Sequence, residues 1–255
     1  MSALRAVAVG VFDGVHVGHR RVLAALVATG TPRVLTLHPH PRPETKLIST
    51  LERRLELIRE AGVDAVDVVA PDSSLRLGDA LLVSGPQAKV RHPPDRIVHV
   101  PLVEGVSSER IRQLVAASEL EGAAKLLGRP VEVEGMVVEG DRRGRELGIP
   151  TANLDVPPNL LLPPYGIYAG AARGPALAPH RAAVSIGVNP QYGGGEQRVE
   201  AFLLDFDGEL YGQRLVIELW QRLRDEAAFE TERALLDQIA LDIEATRHAG
   251  RPEAR

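Results

Sequence analysis

Apolar and polar positions alternate between two periods along the first half of the chain. Ala6–Phe12 is a run of small and β-branched apolar residues, Gly14–Gly18 is a turn, and Arg20–Ala28 carries apolar residues at helical spacing. The cycle repeats with Arg33–Leu37 as a strand, a Pro- and His-rich loop over His38–Pro43, and Leu51–Ala61 as an amphipathic helix stopped at Gly62. Ala65–Val69 is a third strand, Ala80–Val83 and Arg96–Val100 are short ones, and two amphipathic helical segments lie between Ser108 and Leu127. Strands alternating with helices at this spacing predict a parallel sheet covered by helices, with ligands beyond the carboxyl ends of its strands. Gly128-Arg129-Pro130 breaks the pattern, which predicts a domain boundary with units 1–127 and 128–255.

After that boundary the runs are short and alternating: Val131–Val138, Tyr165–Ala172, Ala182–Gly187, Val199–Phe206 and Arg214–Leu219, separated by Gly, Pro and Asn turns. They predict a small antiparallel barrel or sandwich, with an amphipathic helix from Ala227 to about Thr246 packed on it and a frayed tail from His248 onward. Composition adds exclusions. A formal charge of -4 offers no cationic surface for a nucleic-acid backbone, so bound anions must be held by local sites. The absence of cysteine removes disulfides, thiolate metal sites and thiol nucleophiles, and fits a reducing compartment, the cytoplasm. No stretch reaches the length of a membrane span, and the N-terminus carries no visible export signal.

Two constellations carry chemistry. The first is Gly10-Val11-Phe12-Asp13-Gly14-Val15-His16-Val17-Gly18-His19, directly after the first strand and opening the first helix. Gly14 and Gly18 let backbone approach a ligand, the helix N-terminus offers free N–H groups to a phosphate, and His16 and His19 can face it together. An imidazole pair there would stabilise charge developing on a phosphate under attack. The segment resembles the nucleotidyltransferase motif of the bacterial bifunctional riboflavin kinase/FAD synthetases. Pro39-His40-Pro41, Leu51–Asp64 and Val106-Ser107-Ser108-Glu109-Arg110-Ile111-Arg112 resemble further segments of that family. Hydroxyls and arginines at a helix start suit ATP phosphates, which makes Ser107, Ser108, Arg110 and Arg112 candidates. Two departures are visible. Glu109 stands where the family has threonine, and the stretch from Asp64 to Arg96 is shorter than the family's and lacks its phenylalanines.

The second constellation is Gly140-Asp141-Arg142-Arg143-Gly144-Arg145-Glu146-Leu147-Gly148-Ile149-Pro150-Thr151-Ala152-Asn153. Its glycines allow a backbone to wrap phosphates, Arg145 can lie against them, and Thr151 with Asn153 offers two neutral oxygens to a hard cation. This loop resembles that family's riboflavin kinase loop ending in PTAN. Ser185–Pro190 and Val199-Glu200 resemble its strand–loop–strand, which implies Glu200 as the catalytic carboxylate. Leu210-Tyr211-Gly212 and Leu223–Phe229 resemble the rest of the module, which implies Arg224, Glu226 and Phe229 as flavin contacts.

The resemblance implies an α/β chain: an N-terminal nucleotidyltransferase-like, Rossmann-like parallel domain, then a small antiparallel β-barrel riboflavin kinase domain with a C-terminal helix. It implies His16, His19, Arg110 and Glu200 as catalytic, Gly10, Phe12, Asp13, Gly14, Gly18, Ser107, Ser108, Arg112, Gly140, Gly144, Arg145, Gly148 and Pro150 around ATP, and Thr151 and Asn153 at Mg²⁺. The implied reactions are phosphorylation of riboflavin by ATP and adenylylation of FMN, with these small molecules as partners and neither nucleic acid nor membrane. Three alternatives stay open: a kinase whose N-terminal half only binds ATP, a non-catalytic flavin- or nucleotide-binding regulator, and transfer of a nucleotidyl group to a non-flavin phosphate ester.

Overall fold

The computed structural model describes residues 5–71, 73, 75, 77, 79–85, 95–140, 147–188 and 197–253. Its chain divides into two compact units, Met1–Ile111 and Arg112–Arg255.

The first unit is built on a five-stranded sheet in the order β3-β2-β1-β4-β5, every pair parallel. The strands are β1 (Arg5–Gly10), β2 (Thr31–Leu37), β3 (Ala65–Val69), β4 (Leu81–Ser84) and β5 (Ile97–His99). Side chains of a strand alternate between faces. Ala6 and Ala8 of β1 join Leu23 and Leu26 of α1 (Val17–Val27) and Leu57 and Ile58 of α2 (Leu51–Glu60) in one core, while Val7 and Val9 join Leu82 and Leu35 in another. Burial on both faces explains why β1 reads as a continuous apolar run. Thr50 caps α2, its hydroxyl accepting the Arg53 N–H at 3.1 Å, and Gly62 ends it at φ 90°. The carboxyl end of the central strand therefore opens into the segment from Val11 to His19.

The second unit contains a closed barrel in the order β10-β7-β6-β11-β8-β9. Its strands are β6 (Val131–Val138), β7 (Ala152–Asp155), β8 (Gly166–Gly174), β9 (Leu177–Val188), β10 (Gln197–Leu203) and β11 (Arg214–Arg224). Val133, Val199, Ala201, Ile186, Leu215, Ile217 and Tyr168 are fully buried. Closure leaves no strand of this sheet with an unpaired edge. The barrel is tight enough that a Cβ on Gly170 would lie 1.9 Å from the Glu218 carbonyl oxygen, so only glycine fits there. The C-terminal helix α5 (Glu232–His248) packs on β8 and β9.

The helices α3 (Ser108–Ala116) and α4 (Leu120–Leu127) precede the barrel; the division between the compact units falls within α3, and α4 packs on β6 and β11. Three expectations need correction. Ala152–Asp155, expected to end a loop, is a strand. The last helix starts at Glu232 and not Ala227, because the Thr231 hydroxyl accepts the Ala234 N–H at 3.1 Å and sets the N-cap there. The tail is held rather than frayed as far as Arg251: Ala249 is buried, and Arg251 makes a forked ion pair to Glu218 at 2.7 and 2.8 Å. Among the described residues no helix is long and apolar enough to cross a membrane.

Candidate functional sites

The nucleotidyltransferase-like segment is a turn whose backbone adopts conformations that side chains rarely accept. Phe12, Gly14 and Val15 have φ of 54°, 74° and 38°. Such values cost of order 1–3 kcal/mol each for non-glycine residues and persist only where the surroundings enforce them. Asp13 supplies that enforcement. Its buried carboxylate accepts the Ile48 N–H at 3.0 and 3.1 Å and the Ser49 N–H at 3.2 Å, while Gly14 N–H donates to Ser49 Oγ at 3.1 Å. Ser108 Oγ donates to the Asp13 carbonyl at 3.4 Å, and Ser107 Oγ accepts the Arg110 N–H at 3.1 Å, capping α3. Glu109 is exposed in the first turn of that helix, where an acidic side chain complements the helix dipole.

The turn delivers two imidazoles to the start of α1. His16 is buried and is the N-cap, its Nδ1 accepting the His19 N–H at 3.3 Å, so neutral His16 carries its proton on Nε2. The His16 and His19 rings stack with centroids 3.7 Å apart and an interplanar angle of 15°, and Phe12 lies 5.2 Å from His19. Gly18 suits this packing, since a Cβ there would come within 3.1 Å of the His16 ring and press it back by a few tenths of an ångström. Burial, with His16 and then Arg54 adding to it, holds the His19 pKa well below its ordinary value of 6.5. A neutral His19 stacked on His16 is suited to donate a hydrogen bond to a phosphate and not to shuttle protons. Gly10 lies beside the Phe12 ring, 3.4 Å from where its Cβ would be. Arg110 is exposed and Arg112 half-buried on α3.

Sequence reasoning passed over Arg54. Its guanidinium is fully buried, 4.0 Å from Asp13, with Nη1 donating to the Leu37 carbonyl at 3.3 Å and Nε and Nη2 without hydrogen-bond partners among the described residues. The signal was present: a cation on the same α2 face as Leu57 and Ile58.

In the barrel, register brings the second set together. Glu200 of β10 pairs with Asn153 of β7. Val199, Ala201 and Leu203 point into the barrel, so Glu200 and Arg198 share its outer face with Asn153. Thr151 Oγ1 donates to Glu200 Oε2 at 3.2 Å, and Arg198 donates from Nε and Nη2 to Asn153 Oδ1 at 3.1 and 2.9 Å. Arg198 also forms an ion pair with Glu200. Gly140 makes room for the Asn153 amide, which fills the space a Cβ would take. The donor set fits a hard divalent cation. Thr151 spends its hydroxyl hydrogen on Glu200 and keeps oxygen lone pairs, and Asn153 Oδ1 already faces a cationic group. Arg198, too, was passed over in the sequence, although its i, i+2 spacing from Glu200 on a strand was legible.

Gly148 has φ 75° and Pro150 is exposed beside it; Gly144, Arg145 and Asn189-Pro190 lie outside the described residues. Of the flavin candidates, Arg224 forks onto buried Asp242 at 2.7–3.1 Å and stands 5.8 Å over the Phe229 ring. Glu226 is exposed and rests on Gly187, its carboxylate oxygen 1.9 Å from where a Cβ would be.

Comparison with known proteins places these two constellations in one family. The riboflavin kinase family model matches residues 127–249 and the FAD synthetase model residues 2–77. A bifunctional riboflavin kinase/FMN adenylyltransferase of Pseudomonas fluorescens is 33% identical, over 96% of this chain and 93% of the relative. One of Listeria monocytogenes is 30% identical, over 95% and 91%. A crystal structure described as a macrolide-efflux protein from Streptococcus pneumoniae superposes with a TM-score of 0.81 at 28% identity, covering 98% of this chain and 96% of that one. With relatives at this identity aligned over nearly their whole length and both halves matched by family models, the chain belongs to the bifunctional riboflavin kinase/FMN adenylyltransferase family.

Proposed function

We propose that this chain makes FMN and FAD in two steps, phosphorylating riboflavin in residues 128–255 and adenylylating FMN in residues 1–127. The observation that carries the first step is the linked set Thr151, Asn153 and Glu200 on the outer face of the barrel. There the terminal ribityl hydroxyl attacks the γ-phosphorus of ATP, the bond from that phosphorus to the bridging oxygen of ADP breaks, and Glu200 accepts the hydroxyl proton. Mg²⁺, held by Thr151 Oγ1 and Asn153 Oδ1 and by the nucleotide, would offset charge on the transferring phosphoryl group. Arg224, with Glu226 and Phe229, borders the flavin. Gly140, Gly148 and Pro150 shape the nucleotide loop.

In the second step a phosphate oxygen of FMN attacks the α-phosphorus of ATP and pyrophosphate leaves. No proton needs to move, which accords with a neutral His19. His16 and His19 donate to the α-phosphate, the Phe12–Gly14 turn and Gly18 let it approach, and Ser107, Ser108 and Arg110 hold the phosphates. Arg112 is a further phosphate candidate by its motif alone. ATP and the flavins are the partners, and a cysteine-free chain suits the cytoplasm.

Incubation with riboflavin, ATP and Mg²⁺, with the flavins separated by chromatography over time, tests both steps. FMN followed by FAD is expected. FMN alone would remove the adenylyl transfer, and unchanged riboflavin would overturn the reading. Glu200→Gln should fold and lose FMN formation by roughly 10²–10⁴-fold, the usual contribution of a general base.

A further inference from the structure

We propose that Arg198 is an internal counter-cation that holds the kinase site closed until metal and nucleotide arrive, and that loading the site requires Arg198 to leave Asn153 and Glu200. This rests on the assignment of Thr151, Asn153 and Glu200 to the kinase site.

The argument is one of lone pairs. An amide oxygen has two. Asn153 Oδ1 accepts two N–H groups of Arg198, at 3.1 and 2.9 Å, so the oxygen that would ligate Mg²⁺ has no electron pair left for it. Glu200 is engaged as well, one carboxylate oxygen with Arg198 and the other with the Thr151 hydroxyl. The guanidinium thus stands on both groups that phosphoryl transfer needs. It is only 29% exposed and Glu200 24%, so solvent screens these contacts incompletely. A divalent cation on Asn153 would also lie within a few ångströms of the guanidinium, where like charges repel.

Nucleotide resolves the conflict, because it carries both exchange partners. Arg198 would leave Asn153, whose Oδ1 could then hold the metal, and turn its guanidinium to the phosphates as a bidentate partner, releasing Glu200 to take a proton from the substrate hydroxyl. The base is then competent only in the loaded site. Arg198 reaches both partners because β10 sets it two residues from Glu200 on one face, while the Glu200–Asn153 register brings the amide across from β7.

Metal affinity tests this directly. The full chain without nucleotide, so that no phosphate engages Arg198, is titrated with Mn²⁺, and free Mn²⁺ is followed by electron paramagnetic resonance. Asn153→Ala identifies the class of bound Mn²⁺ that belongs to the barrel site, separating it from metal bound elsewhere. In that class Arg198→Gln should tighten Mn²⁺ roughly tenfold, the effect of removing hydrogen bonds between a charged group and the competing oxygen. Arg198→Lys, which cannot fork onto the amide, should tighten it by less, roughly threefold, and keeps the test available if the glutamine variant misfolds. Unchanged or weaker Mn²⁺ binding in both Arg198 variants, with the class still lost in Asn153→Ala, would overturn the counter-cation while leaving the site assignment standing. Full Mn²⁺ binding in Asn153→Ala would overturn the site assignment and the proposal with it.

Discussion

Gly140→Ala isolates the position of one candidate metal ligand. The substitution adds a single methyl group at a residue whose φ is not left-handed, so it leaves the backbone unstrained. That methyl carbon would sit 2.3 Å from Asn153 Nδ2, 2.4 Å from Cγ and 2.6 Å from Oδ1, whereas ordinary contact begins near 3.4 Å. The amide must therefore move by about 1 Å, a displacement that at a catalytic group costs roughly 10²-fold in rate. The bonds from Arg198 at 2.9 and 3.1 Å would be lost with it, at about 1–2 kcal/mol given their partial exposure. Riboflavin phosphorylation should accordingly fall roughly 10²-fold while the melting temperature drops only a few degrees. FMN adenylylation, measured on the same preparation, should be unchanged. Gly250→Ala, where nothing lies within 4 Å of the new carbon, is the matched control. In the double variant with Asn153→Ala the two losses should not add, because both act through the same oxygen. Phosphorylation within threefold of wild type in Gly140→Ala would refute the placement of Asn153 at the metal.

Other perturbations reach other parts of the molecule. Gly187→Ala would collide with the flexible, exposed end of Glu226 and not with backbone, so stability should change by less than about 1 kcal/mol while the KM for riboflavin rises; an unchanged KM would remove Glu226 from the flavin site. Asp13→Asn would turn an amide N–H toward the Ile48 donor, whose N–H reaches both carboxylate oxygens, so a loss of roughly 2 kcal/mol by denaturant titration and of adenylyl transfer is expected, with kinase activity kept. His19 is harder to protonate folded than unfolded, so the unfolded chain binds more protons just below pH 6.5 and stability falls as pH drops from there toward the depressed folded value. His19→Asn should flatten that slope in melting temperatures taken between pH 8 and 5, and identical slopes would contradict a buried, neutral His19.

The sequence made legible those parts of the molecule that depend on local order. Gly10–His19 could be placed at a strand–helix junction because Ala6–Gly10 and the α1 stripe flank it, and both halves of the barrel site sit in contiguous motifs. What escaped was set across the chain. Arg54 looks like one more polar residue of an amphipathic helix until packing shows it fully buried beside Asp13. Arg198 gains its meaning from Asn153, which only the β7–β10 register brings opposite. Even β7 was hidden, since four residues between a Gly-rich loop and a Pro-Pro turn carry too little alternation to register as a strand.

The barrel seam between β7 and β10 has a consequence for how activity is acquired. Thr151 and Glu200 are 49 residues apart in sequence and meet only when those two strands pair. A chain that has formed its other strand pairs but not joined this seam contains every residue of the proposed kinase site and not the site itself. Contacts at such separation pay loop-closure entropy before they return anything, so this seam should form after the β6–β7 and β9–β10 pairings, whose partners lie closer in sequence. FMN formation during refolding would thus time the joining of this seam, and any lesion that leaves the seam open, however distant from Glu200, would register as lost catalysis before it registered as lost secondary structure.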